Sequence, residues 1–187
     1  MFTETINDVQ LTFKTATTVF SPSNIDNGTL AMLSVVELSP SDKLLDLGCG
    51  YGAVGIYAAK IIGAENIVMS DSNQKCIELS KENAAANNVS DIKIILIDGF
   101  TNIDDTNFTL ILSNPPYHAD FSVPKHFIEK RFNRLQIGGR MFMVTKRKEW
   151  YKNKLTAIFG GVKVHEIDGY FVFCAEKRSA NYANRSR

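Results

Sequence analysis

From residue 43 onward, short apolar runs alternate with segments in which apolar residues recur every three or four positions. Short runs bounded by turn residues are typical of buried strands, and the longer spacing is typical of helices that pack on one face. The pattern predicts strands at 44–47, 67–70, 92–97, 108–113 and 140–145. It predicts helices at 53–62, 123–135 and 149–159, and one from an Asn73 N-cap to about residue 86.

The alternation of strands and helices stops near the end of the chain. Two further β segments, 162–167 and 170–176, flank Asp168-Gly169, a dipeptide typical of two-residue hairpin turns. Alternating strands and helices form a parallel sheet covered on both sides, and a closing hairpin adds one antiparallel strand. We therefore predict an α/β fold, a doubly wound, mostly parallel seven-stranded sheet with an antiparallel last strand and helices on both faces.

The first forty residues are less regular. Residues 13–20 are predicted to be extended, and residues 26–38 to form a helix that ends before Pro40. We expect a single domain over 1–187, with an N-terminal extension at 1–40, a core at 41–177 and a polar tail at 178–187.

Composition narrows the class of protein. The chain is 44% hydrophobic and 22% charged, as in ordinary globular domains, and it has no apolar run near the ~18 residues that cross a bilayer. Its first residues lack the features of a signal peptide. The three cysteines, Cys49, Cys76 and Cys174, show no metal-binding spacing. We expect a cytoplasmic protein with reduced thiols and no metal.

The net charge of +1 is distributed very unevenly along the chain. Residues 122–187 carry 15 of the 21 Lys and Arg but 5 of the 20 Asp and Glu, a net charge of +10, and residues 1–121 carry −9. Such a distribution indicates either a polarised surface suited to an anionic partner or a set of solvated helix faces. Sequence leaves both interpretations open.

A glycine-rich turn, Asp46-Leu-Gly48-Cys-Gly50-Tyr-Gly52, joins the first predicted strand to its helix. Glycines permit positive φ and close approach of a ligand, and the helix N-terminus offers free N–H groups. In a doubly wound sheet, ligands bind outside the carboxyl ends of the strands. The turn is therefore a candidate cofactor site.

Two cofactors fit this turn. Gly50 to Gly55 spell GxGxxG, and Asp71 follows about 20 residues later, as in dinucleotide-binding proteins. Asp46 favours S-adenosylmethionine, because its carboxylate would repel a pyrophosphate but suit an amino group. Asp71 would accept from ribose hydroxyls in either case, and Asp98 and Phe100 would contact adenine. The cofactor-binding candidates are Asp46, Gly48, Cys49, Gly50, Gly52, Asp71, Ser72, Asp98, Gly99 and Phe100.

Asn114-Pro115-Pro116-Tyr117 follows the fourth predicted strand. Two prolines impose a rigid, extended path, which is either a stiff loop or a means of aiming acceptors. Asn114 Oδ1 and the Pro115 carbonyl would orient an –NH2 group whose lone pair is delocalised, as in an amide or a nucleobase. Tyr117 would stack on a planar substrate. His118 would either relay a proton or be an ordinary exposed side chain.

Together these segments resemble the class I S-adenosylmethionine-dependent methyltransferases, which have a Rossmann-like fold. The glycine turn matches the first motif of that superfamily, and Asn-Pro-Pro-Tyr matches its amino-nitrogen members. The segment from Phe20 to Thr29, with Gly138-Gly139, resembles the bacterial small-subunit ribosomal RNA guanine-N2 methyltransferases. The resemblance runs from about residue 13 to 177 and implies that Phe20 and Thr29 close over the site. The long bacterial enzymes carry a second, N-terminal copy of the domain, which we expect to be missing here.

The resemblance implies methyl transfer to an exocyclic amine of an RNA base, guanine N2 of ribosomal RNA first and adenine N6 second. Asn114, Pro115 and Tyr117 would be catalytic. The substrate-binding candidates are Phe20, Thr29, Pro116, His118, Lys146 and Arg147, the last two as phosphate contacts. Release-factor glutamine methyltransferases share the Asn-Pro-Pro-Tyr motif, so a protein amide is the main alternative. An inactive cofactor-binding module and a dinucleotide enzyme are weaker ones.

Overall fold

The computed structural model describes residues 1–19, 21–97, 103–116 and 120–183. Its strands are β1 (Phe2–Ile6), β2 (Val9–Phe13), β3 (Leu44–Leu47), β4 (Ile67–Asp71), β5 (Lys93–Leu96), β6 (Phe108–Ser113), β7 (Leu135–Thr145), β8 (Lys163–Ile167) and β9 (Tyr170–Glu176). Its helices are α1 (Asn27–Val35), α2 (Ala53–Ile62), α3 (Gln74–Ala86), α4 (Ser122–Phe132) and α5 (Glu149–Phe159), with a 3-10 turn at Ala64–Asn66.

The main sheet has seven strands in the order β5-β4-β3-β6-β7-β9-β8. The pairs from β5 to β7 are parallel, and β9 runs antiparallel to both of its neighbours. The order reverses between β3 and β6, which puts the switch point of the sheet where the glycine turn and Asn114 leave their strands. The predicted fold class is confirmed.

Two apolar layers cover the sheet. Leu44, Leu110 and Leu112 pack with α1, α2 and α3 on one face, and Leu45 and Ile111 pack with α4 and α5 on the other. The strands read as continuous apolar runs because both of their faces are buried. None of the helices within the described ranges has the length and apolar character needed to cross a bilayer.

The N-terminal segment differs from the prediction. No strand continues through residues 14–19, because β2 ends at Phe13 and a turn follows at residues 17–18. The prediction missed the antiparallel hairpin of β1 and β2, which is closed by Asn7 and Asp8 at positive φ. Helix α1 ends at Val35 and not at residue 38, since Val36 is already extended (φ −86°, ψ 120°).

The start of β7 also differs from the prediction. The predicted helix to residue 135 ends at Phe132, and the strand predicted from 140 begins at Leu135. The register with β6 shifts between Phe108 and Leu110, so a bulge lies where Gly138 has φ 85°. A Cβ on Gly139 would stand 2.8 Å from the Phe108 carbonyl oxygen. The two glycines therefore bend a strand and do not terminate a helix.

Two buried asparagines on α3 hold the hairpin against the core. The Asn87 amide donates to the Thr12 carbonyl (2.8 Å) and accepts from the Thr12 N–H (3.0 Å). Asn83 makes the same pair of bonds with Lys14, at 2.9 and 2.7 Å. The second Asn83 N–H donates to the Tyr51 carbonyl in the glycine turn (2.9 Å). The two asparagine amides thus bond the backbone of the hairpin as a neighbouring strand would, and Asn83 also links the hairpin to the glycine turn.

Replacing Asn87 with Ala should lower the free energy of unfolding by about 1–3 kcal/mol, because both backbone groups of Thr12 lose their partner. Urea denaturation measures this effect, with Lys81→Ala on the exposed face of α3 as the matched control. The control should shift stability by less than ~0.5 kcal/mol. Equal effects of the two substitutions would contradict the role assigned to Asn87.

Candidate active site

A cavity of about 730 Å³ opens at the switch point. Its volume lies within the range of small-molecule and cofactor sites. The cavity lining includes ten of the residues singled out from the sequence: Thr29, Asp46, Gly48, Cys49, Gly50, Asp71, Ser72, Asn114, Pro115 and Pro116. The carboxyl ends of β3, β4 and β6 bring together residues that lie up to 70 positions apart, from Asp46 to Pro116.

Three other candidates lie elsewhere. Gly52, the last residue of the turn, is the left-handed N-cap of α2 and does not line the cavity. Lys146 and Arg147 are exposed beyond the end of β7 and do not line the cavity. Phe20, Asp98, Gly99, Phe100, Tyr117 and His118 lie outside the described residues.

The glycine turn is bent by three left-handed residues, Gly48 (φ 76°), Gly50 (φ 57°) and Gly52 (φ 98°). The N–H groups of Gly48 and Cys49 both donate to the Ser70 carbonyl, at 2.8 and 2.9 Å, which fastens the turn to the end of β4. A Cβ on Gly50 would meet no atom within 4 Å. The turn therefore presents bare backbone to the cavity at Gly50.

Helix α2 approaches the sheet very closely at Gly55. A Cβ there would lie 2.3 Å from Met69 Sδ, well inside van der Waals contact. The Gly55 N–H donates to Asp46 Oδ2 (2.9 Å), so the carboxylate lies beneath the first turn of the helix. The third glycine of the GxGxxG pattern is thus required by packing between helix and strand, which is a need common to both cofactor classes.

Asp46 is almost completely buried, with 2% of its surface exposed. Burial, opposed by the Gly55 N–H and assisted by the Asp71 carboxylate, raises its pKa from 3.8 to about 7. A cation beside Asp46 would favour the charged form and lower the pKa again. The site therefore holds an acid that becomes a full carboxylate most readily when a positive group binds.

Asp71 at the end of β4 organises the opposite side of the turn. Its Oδ2 accepts from the Gly50 N–H and its Oδ1 from the Asn73 N–H, each at 2.9 Å. A carboxylate oxygen has a further lone pair after one such bond. Asp71 can thus hold the turn and still accept from a ligand hydroxyl.

Asn114 is fixed in one orientation. Its Nδ2 donates to Asp26 Oδ2 (2.8 Å) and to Thr29 Oγ1 (3.0 Å), which occupies both amide hydrogens. Its Oδ1 is buried and has no hydrogen-bond partner among the described residues. Ser113 Oγ donates to the Leu47 carbonyl (2.8 Å), so Asn114 is held beside the glycine turn. The chain thus leaves one acceptor unused on a residue that lines the cavity.

Comparison with known proteins identifies this arrangement. Residues 10–174 match the model of the methyltransferase small domain family. The chain belongs to that family. The uncharacterized protein YbxB of Bacillus subtilis is 33% identical over 178 residues, which cover 92% of this chain and 89% of that protein.

Two further relatives carry functional names. The ribosomal RNA small subunit methyltransferase C of Hamiltonella defensa is 32% identical, over 85% of this chain and 47% of that protein. A 16S rRNA N2 methyltransferase of Thermus thermophilus, solved with AdoMet and guanosine, superposes with a TM-score of 0.82 at 28% identity, over 95% of this chain and 50% of that one. The chain spans about half the length of these ribosomal RNA methyltransferases.

Membership of the methyltransferase small domain family puts the chain among the S-adenosylmethionine-dependent methyltransferases and confirms the predicted cofactor class. The residues present fit that cofactor. Asp46 offers negative charge to its amino group, Gly50 leaves room at the backbone, and Asp71 keeps acceptor capacity for ribose hydroxyls. A dinucleotide would place its pyrophosphate beside the same Asp46 carboxylate, which disfavours that alternative.

Two cysteine thiols also line the cavity, those of Cys49 and Cys76. Burial raises the pKa of Cys49, and it raises that of Cys76 to about 11, so both thiols are neutral at pH 7. The described residues contain no cluster of His, Cys, Asp and Glu suited to a metal ion.

Sequence reasoning missed the two titratable wall residues on α4, His126 and Arg131. Burial, with the positive charges of Arg131 and Lys130, lowers the pKa of His126, which favours the neutral ring at pH 7. Arg131 is 3% exposed, and its Nε has no hydrogen-bond partner among the described residues. Only the topology brings these side chains to the glycine turn, since α4 follows it by 70 residues.

Asp46→Asn should change both the pH dependence of stability and the affinity for the cofactor. The pKa of Asp46 is raised in the folded state, so its contribution to stability falls as the pH rises from about 4 to about 7. We therefore expect the difference in melting temperature, variant minus native, to be at least ~3 °C more positive at pH 8 than at pH 5. Affinity for S-adenosylhomocysteine should fall at least ~10-fold, or ~1.4 kcal/mol.

Scanning calorimetry and isothermal titration calorimetry measure these two effects. Asp91→Asn, at an exposed position, is the control and should change neither quantity. A difference in melting temperature that does not vary with pH would contradict the titration of Asp46. Unchanged affinity would contradict its contact with the cofactor.

Proposed function

We propose that this protein transfers a methyl group from S-adenosylmethionine to an exocyclic amino nitrogen of an RNA base, most specifically guanine N2 of ribosomal RNA. The observation that carries the proposal is the Asn114 amide, whose nitrogen is held by Asp26 and Thr29 while Oδ1 has no partner among the described residues. An acceptor left unpaired in a buried site is costly unless a ligand donates to it.

The fixed amide matches the needs of an aromatic amine. The lone pair of such an amine is delocalised into the ring, which makes the nitrogen a poor nucleophile. Asn114 Oδ1 accepts one of its N–H groups and so orients the nitrogen and stabilises the positive charge that develops as it reacts. Because the Asp26 carboxylate can only accept, a reversed amide would lose its bond to Asp26 and put Oδ1 against a carboxylate oxygen, so Oδ1 stays in place.

S-adenosylmethionine would supply an electrophilic methyl carbon. The amine nitrogen would gain the methyl group, the C–S electron pair would stay on sulfur in S-adenosylhomocysteine, and the extra proton on nitrogen would pass to water. Asp46, Gly48, Gly50 and Asp71 would hold the cofactor. Pro115, buried in the wall of the cavity, adds a rigid support to Asn114. The chain therefore contributes position and polarity and needs no strong acid or base.

Support for RNA comes from charge and from the relatives. Lys146, Arg147 and Lys148 are exposed at the same edge of the sheet as Asn114 and offer contacts for phosphates. The named relatives are ribosomal RNA methyltransferases, and the Thermus thermophilus enzyme was solved with guanosine. Adenine N6 and a protein glutamine amide present the same kind of nitrogen and are the outcomes that a test must separate.

Asn114→Ala should reduce turnover at least ~100-fold, because the acceptor for the amine is lost. Affinity for S-adenosylhomocysteine should change less than ~3-fold, or ~0.7 kcal/mol. Transfer of labelled methyl groups to total RNA and, separately, to total protein measures turnover. Asn133→Ala, at the exposed C-cap of α4, is the control and should keep native turnover.

The identity of the product decides the substrate. Label recovered as N2-methylguanosine after digestion of the RNA supports the proposal, and label in N6-methyladenosine or in protein overturns the assigned substrate. Native turnover in Asn114→Ala would overturn the role of the amide.

A further inference from the structure

A patch of aromatic and basic side chains lies beside the cavity. The rings of Phe121 and Trp150 stack with their centroids 4.4 Å apart and their planes at 16°. The Arg147 guanidinium lies 5.0 Å from the centre of the Phe121 ring. We refer to Phe121, Arg147 and Trp150 as the aromatic platform. Both rings are half-buried and Arg147 is exposed, so the platform is part of the surface.

The platform is continuous with the cavity. Phe121 is the N-cap of α4, and the next two residues, Ser122 and Val123, are exposed and line the cavity. Arg147 follows the end of β7, the strand that pairs with the Asn114-bearing β6, and Trp150 lies in the first turn of α5. The platform therefore adjoins the part of the cavity wall formed by the first turn of α4.

Two further cations flank the platform. Lys146 Nζ lies 4.9 Å from the centre of the Tyr170 ring, and Lys148 Nζ lies 5.3 Å from that of Phe171. Neither lysine forms a salt bridge with another described residue. A purely structural aromatic corner has no need of three consecutive cations, each placed over a ring. Flat rings surrounded by positive charge suit a chain of stacked bases linked by phosphates.

We propose that the aromatic platform binds an unpaired nucleotide adjacent to the base that is methylated, so that the substrate at this site is single-stranded RNA. The inference rests on the proposed function. The amine must reach Asn114, whose Oδ1 is buried, and a base held in a duplex cannot do so without leaving its stack. A base that leaves the stack exposes the face of its neighbour. The platform replaces that lost stacking partner, and Lys146 and Lys148 lie close to the connecting phosphates.

Trp150 is the single tryptophan of the chain, so its fluorescence reports on the platform alone. Titration with an eight-nucleotide single-stranded RNA should quench the emission in a saturable manner. The matched duplex should bind at least ~10-fold more weakly. A fluorescently labelled RNA of the same sequence measures binding independently by anisotropy. Binding that leaves the Trp150 emission unchanged would overturn the proposal.

Substitutions test the energetic contribution. Trp150→Leu should weaken RNA binding about 10-fold or more, and Trp150→Phe should retain most of the affinity because it keeps an aromatic face. Arg147→Ala, which alters an exposed side chain, should weaken binding more than Lys163→Ala, an exposed cation at the start of the edge strand β8. This pair tests the platform even where Trp150→Leu is misfolded, as judged by circular dichroism.

The two proposals fail in different ways. If the native protein methylates no RNA, the proposed function fails. The native protein could instead methylate RNA while Arg147→Ala and a folded Trp150→Leu bind that RNA as tightly as Lys163→Ala does. In that case only the role proposed for the aromatic platform fails. Equal affinity for single-stranded and duplex RNA would also overturn the single-stranded substrate.

Discussion

The close approach of α2 to the sheet is the constraint on which the site depends. It is possible only because Gly55 has no side chain to meet Met69 and because the Gly55 N–H finds the buried Asp46 carboxylate. The helix N-terminus and the left-handed glycine turn are thereby fixed at the switch point of the sheet. The same contact buries Asp46 and raises its pKa, so the packing that builds the turn also prepares the site for a cationic ligand.

The substrate side is built from a different part of the chain. Asp26 caps α1 by accepting from the Thr29 N–H (3.2 Å), and both residues then hold the Asn114 amide. The segment before α1 is anchored in turn, because the Glu4 carboxylate accepts from the Ile25 N–H (2.9 Å) and Asn83 binds β2. The N-terminal hairpin is therefore a structural support for the orientation of Asn114, through a chain of hydrogen bonds that crosses the domain.

Local pattern was enough for much of this architecture. Apolar runs and turn residues were enough to predict the bounds of β6 and α5 and the hairpin turn at Asp168-Gly169. Their positions at the ends of predicted strands were enough to single out Asp46, Asp71 and Asn114. The β1–β2 hairpin was missed because its stability comes from Asn83 and Asn87, more than 65 residues away. The early start of β7 was missed because a bulge at two glycines has the same local signal as a helix end. His126 and Arg131 carry no motif, and only the fold directs them to the cavity.

A crystal structure with S-adenosylhomocysteine and guanosine tests the role of the Asn114 amide. We expect guanine N2 within about 3.2 Å of Asn114 Oδ1, while Asn114 Nδ2 keeps its bonds to Asp26 and Thr29. A reversed Asn114 amide, or a guanine bound with another edge toward Asn114, would contradict it.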